Sequence, residues 1–176
     1  GMTPIVKSTL EGFGIEVVSV QQFTADEKNF APYIAKIIDS GCDCLVGIGQ
    51  INEDVLVMKA VADAGLDIHK VGNSAYAQSS CIENAGKASD GWYSITAFSP
   101  YATDEKTGAW VKKYNELYGR LPEMTCATTY DSLSMICWAI EKAGSTDPEE
   151  INNALKTIDG FEGIASTYKY QGTPML

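Results

Sequence analysis

Residues 41–76 read GCDCLVGIGQINEDVLVMKAVADAGLDIHKVGNSAY, and this stretch decides the fold. A short apolar run at 44–48 ends at Gly49, which is typical of a strand buried on both faces. Apolar residues at helical spacing follow as far as Gly65, and a second short strand is predicted at 69–72. A strand, a helix and a strand joined by short links predict a parallel βαβ unit with a right-handed crossover.

The carboxyl ends of parallel strands lie at one edge of a sheet, and open α/β sheets bind their ligands at that edge. The polar and aromatic residues that follow the two strands are therefore candidate ligand-binding residues: Gln50, Asn52, Asn73, Ser74 and Tyr76. Simpler roles compete with this one. Asn52 is favoured as the N-cap of the helix, Gln50 is equally well explained as a loop residue, and Tyr76 as loop packing.

The regions on either side of this stretch extend the same pattern. Strands are also predicted near 15–20 and 92–97. Helices are predicted from Thr3, after Asn29 as N-cap, and at 77–85. The spacing predicts an α/β fold with a small parallel sheet and helices on both faces.

After Pro100 the predicted elements change to helices, at about 103–119, 126–143 and 148–158. Residues 161–170 then alternate like a strand. Helices without strands between them do not continue the sheet, so their apolar faces need another cover. We expect the isolated chain to form a homodimer through these exposed helices.

Composition and charge exclude several classes of function. The chain has 176 residues, and 45% of them are hydrophobic, which suits one domain or one lobe of a larger protein. Its 13 Lys and Arg against 23 Asp and Glu give a net charge of −10, which repels phosphate backbones and anionic membranes. Nucleic acid is therefore not expected as a partner. No apolar run is long enough for a membrane span, and no signal segment is recognised.

The cysteines do not predict a disulfide framework or a metal site. They number five at irregular spacing, so we expect them to be mostly core residues. Cys42 and Cys44 are the closest pair, but alternate residues of a strand point to opposite faces. The single histidine, His69, hardly completes a set of metal ligands.

An enzyme on a doubly wound sheet is a competing interpretation. Gly47-Ile-Gly49 lacks the third glycine of a dinucleotide-binding loop. His69 lies at the start of a predicted strand, on the edge away from the candidate site, and no pair of carboxylates suggests a general acid and base. No catalytic residue and no cofactor are therefore predicted.

Short segments along nearly the whole chain match one family in order and spacing, although no single motif is specific. They include Gly14-Ile-Glu-Val-Val18, Asn29-Phe30, Ser40-Gly41, Ala64-Gly65-Leu66, Gly91-Trp-Tyr93, Tyr118-Gly119, Thr129-Tyr130-Asp131, Ala143-Gly-Ser-Thr-Asp147 and Phe161-Glu-Gly163. By these segments the chain resembles the Leu/Ile/Val-binding (branched-chain amino acid) type of solute-binding protein of ABC transporters, which has the type I periplasmic-binding fold.

The resemblance implies two α/β lobes that close on a ligand by a hinge motion. Residues 1–98 would be the Rossmann-like core of the second lobe without its first strand. Residues 99–160 would be helices that normally pack on the first lobe, which is missing here. Residues 161–176 would be a strand that returns to the second lobe, and a tail. We therefore expect the chain to be a piece of a longer protein.

The resemblance also implies a function. The protein would be extracytoplasmic, either periplasmic or a lipoprotein at the cell surface. It would capture a small polar ligand, most simply an amino acid of the branched-chain type, and deliver it to the membrane permease of an ABC transporter. A ligand-sensing receptor module of the same fold is the alternative, and an enzyme on a Rossmann-like fold is the third interpretation.

Members of the family contribute a ligand-contacting side chain directly after the strand that corresponds to 44–48, where Gln50 and Asn52 stand. Relatives that bind amino acids often have an acidic residue near Ser74 to pair with the ligand's ammonium, and this chain has no acid there. Phe98 and Tyr101 follow the last strand, where the chain would cross to the other lobe. They complete the candidate ligand contacts, with hinge packing as their alternative role.

Overall fold

The computed structural model describes residues 3–172, which divide between Ile95 and Thr96 into two compact units. Unit 1 contains helices α1 (Thr3–Gly12), α2 (Ala31–Asp39), α3 (Ile51–Asp63) and α4 (Ser79–Ala85), and strands β1 (Cys44–Gly47), β2 (His69–Gly72) and β3 (Trp92–Ser94). Unit 2 contains helices α5 (Glu105–Tyr118), α6 (Met124–Ala143) and α7 (Pro148–Leu155), and strands β4 (Asp159–Glu162) and β5 (Thr167–Lys169).

The sheet of unit 1 is parallel, with the strand order β1-β2-β3. Strand β1, helix α3 and strand β2 form the predicted βαβ unit, which is confirmed together with the α/β fold class. One face of the sheet carries Leu45 and Trp92, which pack with α2 and α3. The other face carries Val46 and Tyr93, which are 40% and 69% exposed.

Helix α3 is the centre of the core of unit 1 because it packs on two sides. Val57 and Val61 meet Phe30 and Ile34, which belong to α2 and the residue before it. The other side of α3 meets the segment after β2 and helix α4 in a second cluster. That cluster contains Val55, Met58, Tyr76, Cys81 and Ala85. The apolar stripe read from the sequence therefore faces the core as expected.

Several local predictions for unit 1 are wrong. Residues 15–20 do not form a strand, because a strand requires hydrogen bonds to a neighbour, and none of the described strands pairs with this segment. The strand predicted at 92–97 ends at Ser94. Helix α2 begins at Ala31, so Asn29 lies outside it, although its side-chain oxygen accepts a hydrogen bond from the Ala31 N–H at 3.2 Å.

The cysteines are not mostly core residues. Only Cys81 is buried, whereas Cys44 and Cys137 are exposed and the other two are half-buried. Helix α1 also contributes nothing to the core, because none of its described residues is buried. Short apolar runs therefore indicated helices and strands better than they indicated burial.

The helix starts predicted near 103 and at 148 are confirmed, whereas α6 begins at Met124, before the predicted start near 126. Asp104 caps α5 by accepting a hydrogen bond from the Thr107 N–H at 2.8 Å. Asp147 caps α7, which begins with Pro148 as predicted. The single strand predicted at 161–170 is instead an antiparallel hairpin of β4 and β5, because the chain turns back after Gly163.

The hairpin is held to α6 by Asp131. This side chain is fully buried, and its carboxylate accepts hydrogen bonds from the Ile164 N–H at 2.6 Å and the Ala165 N–H at 2.8 Å. It also accepts one from the Tyr168 hydroxyl at 3.0 Å. Charged acceptors make strong hydrogen bonds, so one residue of α6 fixes both the turn and β5. A Cβ on Gly163 would lie 2.7 Å from Tyr168 Cε2. Only glycine therefore lets the turn pack this closely against Asp131 and Tyr168.

Helix α6 also exposes apolar side chains. Leu133 is 60% exposed and Ile136 is 43% exposed.

Among residues 3–172, no helix has both the length and the apolar character needed to cross a bilayer.

We predict that Asp131→Asn lowers the free energy of unfolding of unit 2 by about 2–4 kcal/mol, because an amide offers one acceptor oxygen where three donors converge. Urea unfolding and amide hydrogen exchange of 158–170 measure the effect. Asp159→Asn is the matched control. Its ion pair with Lys169 is exposed, so we expect a change of at most about 0.5 kcal/mol. Equal stability of the two variants would contradict the role of Asp131.

Candidate functional site

The carboxyl ends of the strands in unit 1 are tied together by Asn73. Its backbone N–H donates to the carbonyl of Gly47 at 3.1 Å, and its side-chain Nδ2 donates to the carbonyl of Gly49 at 3.1 Å. The Ser94 hydroxyl donates to the carbonyl of Asn73 at 2.7 Å. Residues that follow β1, β2 and β3 therefore meet at one edge, as the parallel topology predicts.

Gln50 and Asn52 both lie at the start of α3. Gln50 is the N-cap residue, with extended backbone angles and an exposed side chain that makes no capping hydrogen bond. Asn52 is the second residue of the helix and is also exposed. The prediction of Asn52 as N-cap is wrong, because the helix begins one residue before it.

Ser74 and Tyr76 lie in a single turn of 3₁₀ helix, Ser74–Ala77, directly after β2. Ser74 is half-buried at the same edge as Asn73. Tyr76 points into the unit instead and is 3% exposed, with its ring stacked on Trp92 at a centroid distance of 4.7 Å. The structure therefore brings Gln50, Asn73 and Ser74 to the edge and places Tyr76 beneath it.

Phe98 and Tyr101 belong to unit 2. Phe98 is buried with Val111 and Ala127, and its ring makes an edge contact with Trp110 at 5.8 Å. Tyr101 is 78% exposed. Within unit 2, Phe98 is a core residue and Tyr101 a surface residue.

The floor below the edge is built by Tyr76 and glycines. A Cβ on Gly47 would lie 2.7 Å from Tyr76 Cζ and still closer to its hydroxyl. A Cβ on Gly72 would lie 2.6 Å from Tyr76 Cβ and would overlap the ring. The ring thus packs directly on the backbone of β1 and β2, which explains why both strands end in glycine.

Asp54 is the residue of this region that the sequence analysis missed. It is fully buried in the first turns of α3, and neither carboxylate oxygen has a hydrogen-bond partner among the described residues. Its Oδ1 lies against Gly49, where a Cβ would overlap it. The signal was present in the sequence, because Asp54 shares a helical face with Met58 and Val61 at spacings of four and three.

Burial changes the acidity of this cluster. It raises the pKa of Asp54 to about 7, an effect that the neighbouring Tyr76 hydroxyl opposes and the Glu53 charge reinforces. Burial, together with the Asp54 charge, also raises the pKa of Tyr76, and the same two causes raise the pKa of Cys81 to about 11. Asp54 therefore holds its proton to near-neutral pH.

A cavity of about 230 Å³ lies at the other end of the strands. Lys70, Lys87, Asp67, Asp90 and Trp92 are among its lining residues. They stand at or before the starts of β2 and β3, or after α4, so this cavity does not coincide with the edge that Gln50 and Asn73 form. Within the described part of the chain, no group of three or more His, Cys, Asp or Glu side chains is placed to hold a metal ion.

A parallel sheet with crossover helices, and polar side chains gathered where its strands end, define an open α/β lobe. The model of the periplasmic binding protein family matches residues 1–173, so this chain belongs to that family.

Similar proteins agree with this assignment. The chain is 26% identical to Leu/Ile/Val-binding protein homolog 1 of Brucella abortus (strain 2308), over all of this chain and 47% of that protein. It is 28% identical to the leucine-, isoleucine-, valine-, threonine- and alanine-binding protein of Pseudomonas aeruginosa, over 89% of this chain and 42% of that protein. The chain thus spans about half the length of the curated relatives it matches.

Solved structures show the fold. The branched-chain amino acid transporter substrate-binding protein LivJ of Streptococcus pneumoniae, in complex with isoleucine, superposes with a TM-score of 0.86 at 24% identity, over 97% of this chain and 49% of that one. A solute-binding protein of an ABC transporter from R. palustris, in complex with benzoate, superposes with a TM-score of 0.84 at 19% identity, over 96% and 47%.

We predict that Gly47→Ala lowers the free energy of unfolding by about 1–3 kcal/mol, because the new methyl group overlaps Tyr76. In a Tyr76→Phe background the hydroxyl oxygen nearest to the new methyl group is absent. Gly47→Ala should therefore cost less stability there than in the wild-type chain, and a double-mutant cycle in urea measures the difference. Gly108→Ala in α5 is the control. Its Cβ meets open space, so it raises stability by about 0.5–1 kcal/mol. A Gly47→Ala variant with the same free energy of unfolding as the wild-type chain would contradict the close packing.

Proposed function

We propose that this chain is part of the extracytoplasmic solute-binding component of an ABC transporter. The protein captures a small polar ligand, an amino acid of the branched-chain type, and presents it to a membrane permease. The observation that carries this proposal is the family match over residues 1–173 together with the polar edge that Gln50, Asn73 and Ser74 form. Relatives with Leu/Ile/Val-binding names support the ligand class.

We assign ligand contact to the edge residues that present polar atoms. Gln50 is exposed and stands directly after β1, and Ser74 stands at the end of β2. Asn52, two residues after Gln50, is exposed at the second position of α3. Tyr76 acts from below through its packing on the strand ends. Phe98 and Tyr101 stay candidate contacts, Phe98 as a buried residue of unit 2 and Tyr101 as an exposed one. Binding without chemical change of the ligand is the activity we assign, since no catalytic set is proposed.

A ligand without an ammonium group is a second candidate. The edge residues are uncharged amides and hydroxyls, and the two acids at the start of α3, Glu53 and Asp54, are both buried. A relative of the same fold was solved in complex with benzoate. A small carboxylate ligand without an ammonium group needs no acid at this edge, so the binding experiment includes it.

We expect a protein that joins this chain to the remaining half of its relatives' length to bind leucine, isoleucine or valine. Isothermal calorimetry with these amino acids and with benzoate measures the affinity. Gln50→Ala weakens binding about 3- to 10-fold, the equivalent of one hydrogen bond, whereas Asn84→Ala, on the exposed side of α4, leaves it unchanged.

The 176-residue chain alone should not bind these ligands, because by the resemblance the groups that hold the ligand's carboxylate belong to the other lobe. Micromolar affinity of this chain alone would contradict that division of the site. Binding of benzoate but of no amino acid by the longer protein would establish the second candidate instead.

We also propose that the isolated chain forms a homodimer through α6. Leu133 and Ile136 form an exposed apolar surface on this helix, and burying it in a second copy removes it from water. Sedimentation is expected to show a dimer, and Leu133→Asn with Ile136→Asn is expected to shift it to a monomer. Ile5→Asn in α1 is the control, since Ile5 is equally exposed in unit 1. A wild-type monomer at high concentration would contradict the proposal.

A further inference from the structure

Two polar groups beneath the edge of unit 1 have no partner. Both oxygens of Asp54 and the hydroxyl of Tyr76 are buried without a hydrogen bond among the described residues. Buried polar groups are nearly always paired, and an unpaired ionised carboxylate is especially costly. Their position directly below the proposed ligand contacts therefore calls for a physical explanation.

We propose that Asp54 and Tyr76 are positioning residues of the ligand-binding edge. With Asp54 protonated, they hold the segment Gly47–Gln50 in place. When Asp54 loses its proton, that segment loosens and Gln50 moves. This inference rests on the proposed function, because it assigns a role to Gln50 at the edge.

The contacts of the two side chains fall on alternate residues of one short segment. The Tyr76 hydroxyl lies against Gly47, and Asp54 Oδ1 lies against Gly49. Gln50 is the next residue and begins α3, and Asp54 itself lies on the first turns of that helix. The Asn73 side chain secures the same segment from the other side through the Gly49 carbonyl. A shift of Asp54 is therefore transmitted to Gln50 through the backbone of one intervening residue.

The surroundings of Asp54 favour its neutral form. The groups that face it are Glu53 on its own helix, Tyr76 in the 3₁₀ turn and Cys81 on α4. None of these is basic, and Glu53 already accepts a hydrogen bond from the Asp26 N–H at 3.2 Å. Phe23, which also lies by Gly49, is apolar.

An ionised Asp54 would have only the Tyr76 hydroxyl as a donor. Its proton leaves to solvent, and the charge that remains requires water. Water reaches it only if the covering segment gives way. The neutral acid has no such requirement, so protonation and the position of Gly47–Gln50 are linked.

The direction of the pH dependence follows from this linkage. The pKa of Asp54 is about 7 in the folded chain, above the value of about 3.9 of an unfolded carboxyl, so the folded state binds the proton more tightly. Asp54 therefore lowers stability progressively as pH rises from about 4 to about 7, and Asp54→Asn removes that dependence. Below about pH 4 both states are protonated and the contribution vanishes.

Nuclear magnetic resonance of the 176-residue chain tests the proposal without any ligand. We expect the Asp54 carboxyl to titrate near pH 7, and the amide shifts of Gly47, Gly49 and Gln50 to follow the same midpoint. Asp54→Asn should fix these amides at their low-pH positions. Asp63→Asn, an exposed change on the same helix, should leave the titration unchanged. Tyr76→Phe should move the midpoint upward, because the hydroxyl that favours the charged form is lost.

A titration midpoint of the Asp54 carboxyl near pH 4 would overturn the proposal. So would amide shifts of Gly47, Gly49 and Gln50 that do not change as Asp54 titrates. In the longer protein, the Kd for its amino acid should rise about 2- to 5-fold between pH 6 and pH 8, because losing the Gln50 contact weakens binding about 3- to 10-fold and about a tenth of Asp54 is still protonated at pH 8. Asp54→Asn should abolish this rise. If the longer protein binds none of these ligands while the amides still follow Asp54, the proposed function fails, and what stands is the coupling between Asp54 and the segment Gly47–Gln50.

Discussion

The contact between the Tyr76 ring and the backbone of the strand ends is the constraint on which unit 1 depends. Gly47 and Gly72 leave no room for a side chain, so the ring fills the space between β1, β2 and α3. The ring also stacks on Trp92, which joins β3 to the same core. Strand ends that are fixed in this way give the edge above them a defined shape, and a ligand-binding edge needs that definition.

Two buried aspartates show how the same residue type serves opposite purposes. Asp131 receives two backbone N–H groups and one hydroxyl, so its charge is satisfied and it holds the hairpin to α6. Asp54 has no such donors, and burial raises its pKa to about 7. Where donors surround a buried carboxylate, its hydrogen bonds tie elements of the fold together. Where donors are absent, burial raises its pKa.

Family membership and the candidate site rest on different observations. Membership of the periplasmic binding protein family rests on a match over nearly the whole chain. The site rests on three polar residues that the parallel topology brings to one edge, with Asn73 linking the ends of all three strands. The chain spans about half the length of the relatives it matches, so the ligand of the whole protein is a proposal.

The sequence by itself determined the βαβ unit, the helix starts at Asp104 and Pro148, and the edge where Gln50, Asn73 and Ser74 meet. These features depend on local spacing, capping and the fixed direction of parallel strands, all of which are readable along the chain. Only the tertiary structure decided that 15–20 is unpaired, that Tyr76 turns inward and that the tail folds into a hairpin. Pairing, burial and the environment of Asp54 depend on residues distant in sequence, and no local pattern contains them.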